Sequence, residues 1–122
     1  MMYLRFFLIL FGVTFLVACT SESVYQADAL KGTWHCYQWD TNGDIKPISK
    51  GTANFKFEDG EYYYQGGVHQ EMGSWKLKGE KLVTQVEGLL QKEVEISKLE
   101  NDTMILDMVD NGIPMTMYLV KE

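Results

Sequence analysis

Arginine occurs once in the 122 residues, at Arg5, and histidine, cysteine and proline occur twice each. The scarcity of arginine argues against nucleic acid as a partner, because there is no basic stripe for a phosphate backbone. It also removes the planar fork used for bidentate phosphate or carboxylate recognition. The two histidines, His35 and His69, form no H-E-x-x-H and no close pair, so no zinc motif is present. No G-x-S-x-G elbow occurs. The carboxylates are numerous but fall mainly on faces read as solvated. The expectation is therefore a protein without catalysis, without a cofactor and without a metal. Finally, no apolar run reaches the roughly 20 residues that cross a bilayer as a helix.

The run that is present is short and sits at the start. Arg5 precedes Phe6–Val17, twelve nearly all apolar residues. A cation followed by a short apolar stretch reads as a signal peptide rather than a permanent anchor. It ends in Leu16-Val17-Ala18-Cys19, which resembles the bacterial lipobox, where the chain is cut before a cysteine that carries lipid. That resemblance implies a signal peptide over residues 1–18, lipid attachment at Cys19 and a tether over residues 19–29. Thr20, not aspartate, follows the cysteine, which by the same resemblance implies the outer membrane of the cell envelope. The mature chain then holds ten lysines, seventeen acidic residues and no arginine, a net charge of −7. Such a surface favours solubility above an anchor. With Cys19 lipidated, Cys36 stands alone, no internal disulfide is available, and the fold rests on its core.

From Leu30 onward apolar residues alternate with polar ones, and turn residues recur about every ten positions, the pattern of an all-β sandwich or barrel. Asp59-Gly60 sets Phe57 opposite Tyr62 and Phe55 opposite Tyr64. Gly79-Glu80, with glycine first as a type II′ turn requires, sets Leu77 opposite Leu82 and Trp75 opposite Thr84. Asn111-Gly112 sets Met108 opposite Met115, Leu106 opposite Met117 and Met104 opposite Leu119, with Pro114 tolerable only at a strand end or edge. Eight strands result, about 33–39, 51–58, 61–66, 70–78, 81–87, 91–98, 103–109 and 114–120. Eight antiparallel strands joined by hairpins match an up-and-down barrel, which closes the sheet and removes its edges. Residues 40–51 read as a polar first loop turning at Asn42-Gly43. The D-x-N-x-D beginning there is not a calcium loop, because Ile45 and Gly51 stand where glycine and glutamate are needed.

Two segments, "LKGTWHCYQ" (Leu30–Gln38) and "FEDGEYYYQGGVHQEMGSWKLKGEKL" (Phe57–Leu82), together resemble the lipocalin-like lipoproteins of bacteria. The resemblance spans roughly residues 30–120 and implies a single eight-stranded lipocalin-like barrel over residues 30–122. In lipocalins G-x-W, here Gly32-Thr33-Trp34, opens the first strand. Its tryptophan closes the barrel base, and an arginine from the last strand packs on it. No arginine stands there in this chain, and Lys121 is the nearest cation. Gly73-Ser74-Trp75 repeats the pattern 41 residues later.

Alternation places Trp34, Cys36, Phe55, Phe57, Tyr62, Tyr64, Trp75, Leu77, Met104, Met108, Met115 and Met117 on the inner face, and Tyr37, Trp39 and Tyr63 on the outer. His35 and Cys36, being adjacent, face opposite ways and form no thiolate–imidazole pair. The methionines with Cys36 are soft ligands suited in principle to Cu(I), but adaptable apolar packing is the commoner use. Two functions follow. In the first, the twelve inner residues line a site for a small hydrophobic ligand. In the second, the barrel is filled by its own side chains and an envelope protein binds its rim or outer face.

Overall fold

A computed structural model describes residues 24–122; the segment 1–18 read as a signal peptide, and Cys19, lie outside the described residues. One helical turn, α1 (Ala27–Leu30), precedes nine antiparallel strands: β1 (Gly32–Thr41), β2 (Asp44–Pro47), β3 (Ala53–Phe57), β4 (Glu61–Gly66), β5 (His69–Lys78), β6 (Lys81–Gln85), β7 (Lys92–Glu100), β8 (Thr103–Asp110) and β9 (Ile113–Lys121). The sheet runs β1-β3-β4-β5-β6-β7-β8-β9, and β9 returns to pair with β1. This is a closed eight-stranded up-and-down barrel, with β2 as one additional strand.

The hairpin registers follow the turn chemistry. Phe55 and Phe57 oppose Tyr64 and Tyr62, Trp75 and Leu77 oppose Thr84 and Leu82, and Met108 and Met104 oppose Met115 and Leu119. Asn42 and Asn111 each take a φ of 51° ahead of a positive-φ glycine. That is the conformation for which asparagine-glycine is suited in a two-residue hairpin. At Asn42-Gly43 the turn does more than reverse a loop. It folds Asp44–Pro47 back on Gln38–Thr41, so the expected polar loop is in part the strand β2.

Two β-bulges break the strict alternation. In β1 the pairing with β9 slips between Cys36 and Gln38, leaving Tyr37 unpaired. Trp39 consequently pairs with Met117 and packs against the core, not on the outer face as alternation predicts. In β7 the slip falls between Ile96 and Lys98, so that both Ile96 and Leu99 reach the core. Each bulge inserts one residue, switches the face of all that follow and tightens the local twist, which helps a sheet close on itself.

Part of the segment read as tether belongs to the fold. Val24 N–H donates to the Gly79 carbonyl (2.9 Å), and the Tyr25 hydroxyl donates to the Ile96 carbonyl (3.3 Å). Leu30 is wholly buried. Residues 24–30 therefore seal one end of the barrel, where the turns 58–60, 79–80 and 101–102 also lie. The opposite end carries the turns 42–43, 67–68 and 111–112 and the loop 86–91.

Candidate functional site

The sealed end is built around Trp34. Its indole N–H donates to the Leu30 carbonyl at 2.7 Å, and Lys121 Nζ stands 5.4 Å from the ring centroid while donating to the Ala29 carbonyl. Lysine thus supplies the cation over the base tryptophan. Trp75, in the second G-x-W, donates its indole N–H to the Glu58 carbonyl, also at 2.7 Å. Burying an indole requires a partner for its N–H, and a backbone carbonyl meets that need in both cases. Above them Phe57 lies edge-on to Trp75 at 5.6 Å and stacks on Phe55 at 5.8 Å, and Phe55 meets Tyr64 at 4.7 Å.

The twelve residues expected to line the lumen all face it, but they divide by depth. Trp34, Cys36, Phe57, Tyr62, Met104 and Met117 are buried, and with Leu30, Ile96 and Leu119 they fill the sealed half with side chains. Phe55, Tyr64, Met108 and Met115 stand nearer the opposite end and are only partly buried. Trp75 is buried and Leu77 partly so, both toward the sealed end. Burial pushes the Cys36 thiol above its ordinary pKa, so it stays protonated, as befits a small buried hydrophobe and not a nucleophile. Among the described residues no cluster of histidine, cysteine and carboxylate side chains is arranged to hold a metal.

Three lumen residues escape the sequence reading, Trp39, His69 and Glu71, and Thr84 stands where its pairing with Trp75 predicts. Glu71 pairs with Tyr64 and His69 with Gly66, so both face inward. The period-two parity of β5 is the signal that locates Glu71. Two residues apart, Glu71, Gly73, Trp75 and Leu77 share one face, and the general expectation that carboxylates face water overrode it. The Tyr62 hydroxyl sits beside the Glu71 carboxylate and the Thr84 hydroxyl. Burial first, and then the Glu71 charge, push the Tyr62 pKa up to about 12. Tyr64 is also raised, chiefly by burial. The mouth is therefore two-sided. Thioethers from β8 and β9 form one wall, and hydroxyl, carboxylate and imidazole groups from β4, β5 and β6 form the other.

The Tyr62 shift has a stability consequence. Its folded pKa lies above the ordinary phenol value of about 10, so the fold holds the proton more tightly than the unfolded chain. The associated stabilisation is complete below about pH 10 and is lost as pH rises through about 12. Phenolate absorbance during an alkaline titration should show buried tyrosine, Tyr62 foremost, ionising together with unfolding. Glu71→Gln should bring that step to lower pH without abolishing it, since burial remains.

The rim of this end carries exposed apolar side chains beside the carboxylates of Asp44, Glu87 and Asp110. Ile45 of β2, Val68 of the 67–68 turn, Leu89 and Leu90 of the 86–91 loop, and Val109 and Ile113 of the last hairpin are all exposed, Leu90 at 90 % and Val68 fully. Those two turns, that loop and β2 thus each bring at least one apolar side chain to the end opposite α1. The turns at the sealed end instead carry Glu58, Asp59, Glu80 and Asp102.

The lipocalin-like domain profile matches residues 30–106, well over half of the chain. The chain belongs to the lipocalin-like domain family. It is also similar in fold to the crystal structure of an uncharacterised protein from Bacteroides eggerthii, at a TM-score of 0.61 and 12 % identity, covering 75 % of this chain and 98 % of that one. No curated protein matches the sequence. Lipocalin-like barrels are in general binding folds, which agrees with a two-sided mouth with apolar side chains at its rim.

Proposed function

We propose that this lipocalin-like protein is a lipid-anchored binding protein of the cell envelope, without chemistry of its own, that holds a small hydrophobic ligand in the open end of its barrel. The observation that carries the reading is the contrast between the two ends. One is sealed by Leu30, Trp34 and Lys121 and rimmed by carboxylates. The other is lined by half-buried Phe55, Tyr64, Met108 and Met115 and rimmed by exposed aliphatic side chains. Exposed apolar side chains gathered at one end of a barrel suit the binding of an apolar ligand there. Because the sealed half is filled, the ligand sits near the rim and is small. The methionine wall adapts to its shape, and the Tyr64 and Glu71 wall receives its polar end.

An anchor at Cys19 is consistent with this arrangement. Four residues separate it from Val24, a reach of at most about 18 Å, and Val24 is tied to the sealed end. The outer membrane would hold the barrel by that end, with the mouth turned outward from it.

Native mass spectrometry of the protein isolated from its own membranes tests the reading. The expected result is an added mass that is lost on unfolding, and absent from Met115→Trp, which fills the mouth, but retained by Lys98→Ala on the outer wall. A clean apo mass in the parent protein would instead favour a filled barrel that binds an envelope protein. The exposed Tyr37 and its outer-face neighbour Tyr118, 6.1 Å apart, offer a surface for that second reading.

A further inference from the structure

A groove of about 660 Å³ lies on the outer wall of β1, β3, β4 and β5, floored by Phe55, Tyr64 and Glu71, the row whose side chains turn to the lumen. Two cross-strand rows form its walls. His35, Asn54, Gln65 and Gln70 are successive register partners across four strands, and Thr33, Lys56, Tyr63 and Met72 form the next row. With strands about 4.8 Å apart, each row spans about 14 Å. We infer that this groove binds a neutral oligosaccharide, through the amide and imidazole row and the Tyr63 and Met72 surface beside it.

The chemistry of the rows supports this class. The Gln65 and Gln70 side chains have no partner among the described residues, so each offers a carbonyl acceptor and two N–H donors. Asn54 Oδ1 accepts from His35 Nδ1–H at 2.5 Å and Asn54 Nδ2 donates to the Gly51 carbonyl at 3.1 Å, which orients the amide and leaves part of its capacity unused. His35 Nε2 is buried without a hydrogen-bond partner; the Glu122 carboxylate is nearest, at 3.6 Å. Sugar hydroxyls both donate and accept, and planar amides in a row match them. The exposed ring of Tyr63, tethered by its hydroxyl to Glu61, and the exposed Met72 opposite it supply an apolar platform for the C–H face of a pyranose.

Other occupants fit less well. The one cation, Lys56, is held by Glu58 at 3.1 Å, so an anionic ligand finds no free counter-charge. Along the groove β1, β3 and β4 are paired on both sides and offer an extended peptide no edge, while β5 is paired with β6 only from Ser74 onward.

The test is a nuclear magnetic resonance titration of the intact ¹⁵N-labelled protein in a zwitterionic, sugar-free detergent, with chitotriose and with maltotriose as probes. Saturable shifts in the side-chain amide signals of Asn54, Gln65 and Gln70 are expected from at least one probe. The exposed double substitution Gln65→Ala/Gln70→Ala should weaken that binding at least tenfold while leaving the rest of the spectrum in place. Absence of saturable shifts with both sugars, shifts confined to the Trp39 indole and Met108–Met115 region, or unchanged affinity in the double variant would each overturn the inference. Shifts confined to the mouth would report a ligand there, whereas the other outcomes leave the mouth reading untouched.

Discussion

Trp34→Ala should lower the melting temperature on the order of 20 °C, the largest effect expected of any single substitution in this barrel. The side chain is wholly buried at the sealed end. Removing a buried tryptophan costs about 3–5 kcal/mol from lost burial and the cavity left behind. Each kcal/mol moves the midpoint of a domain of this size by about 4–8 °C. Two further losses act in the same direction. The Leu30 carbonyl loses its 2.7 Å donor in a buried setting, and Lys121 loses the ring beneath it. Trp34→Phe separates the contributions. It keeps most of the apolar burial, discards the N–H and should cost about 1–3 kcal/mol. Thermal and urea denaturation of both variants, followed by circular dichroism, provide the check. A fall of only a few degrees in Trp34→Ala would mean that the sealed end is not the structural keystone described above.

Gly73→Ala should be nearly as damaging, although only one methyl group is added. Gly73 has no positive φ, so backbone freedom is not the reason for glycine. A Cβ built there collides with the Gln85 backbone carbonyl and meets the Tyr62 ring at 2.9 Å. The ring can shift, but the carbonyl belongs to the next strand and cannot move without breaking the β5–β6 ladder. Overpacking of this kind costs about 1–3 kcal/mol, sometimes more. Trimming the ring with Tyr62→Leu should therefore fail to rescue Gly73→Ala. Full rescue in the double variant would show that the ring, not the carbonyl, is the obstacle. Gly32, which looks equivalent in the repeated G-x-W, differs in cause. It has a φ of 129°, and an added Cβ would meet only the flexible Lys121 side chain, at 2.6 Å. Its substitution should be felt mainly as backbone strain.

Much of this architecture was legible without coordinates, for a local reason. A two-residue turn fixes which residues of a hairpin stand opposite each other, so Asp59-Gly60, Gly79-Glu80 and Asn111-Gly112 were enough to pair Phe57 with Tyr62, Trp75 with Thr84 and Met108 with Met115. Alternation then placed the twelve lumen residues on the inner face. It failed where one inserted residue reset the count. Nothing near Tyr37 marks a bulge, because the bulge is set by how β1 meets β9, some eighty residues away, and so Trp39 was assigned to the wrong face. Glu71 was obscured differently: its parity pointed inward, but a carboxylate is tolerated in the lumen only because it lies in the partly open half beside Tyr62 and Thr84.

By itself, then, the sequence determined the short-range pairings, most of the inner and outer faces and the barrel class. Those depend on turn conformation and period two, both properties of neighbouring residues. Only the tertiary structure decided that residues 24–30 seal one end, that Lys121 covers Trp34, that the mouth has a methionine wall and a polar wall, and that the apolar residues of separate loops gather into one rim. Each of these brings together segments distant in the chain, and that meeting is settled only when β9 closes on β1.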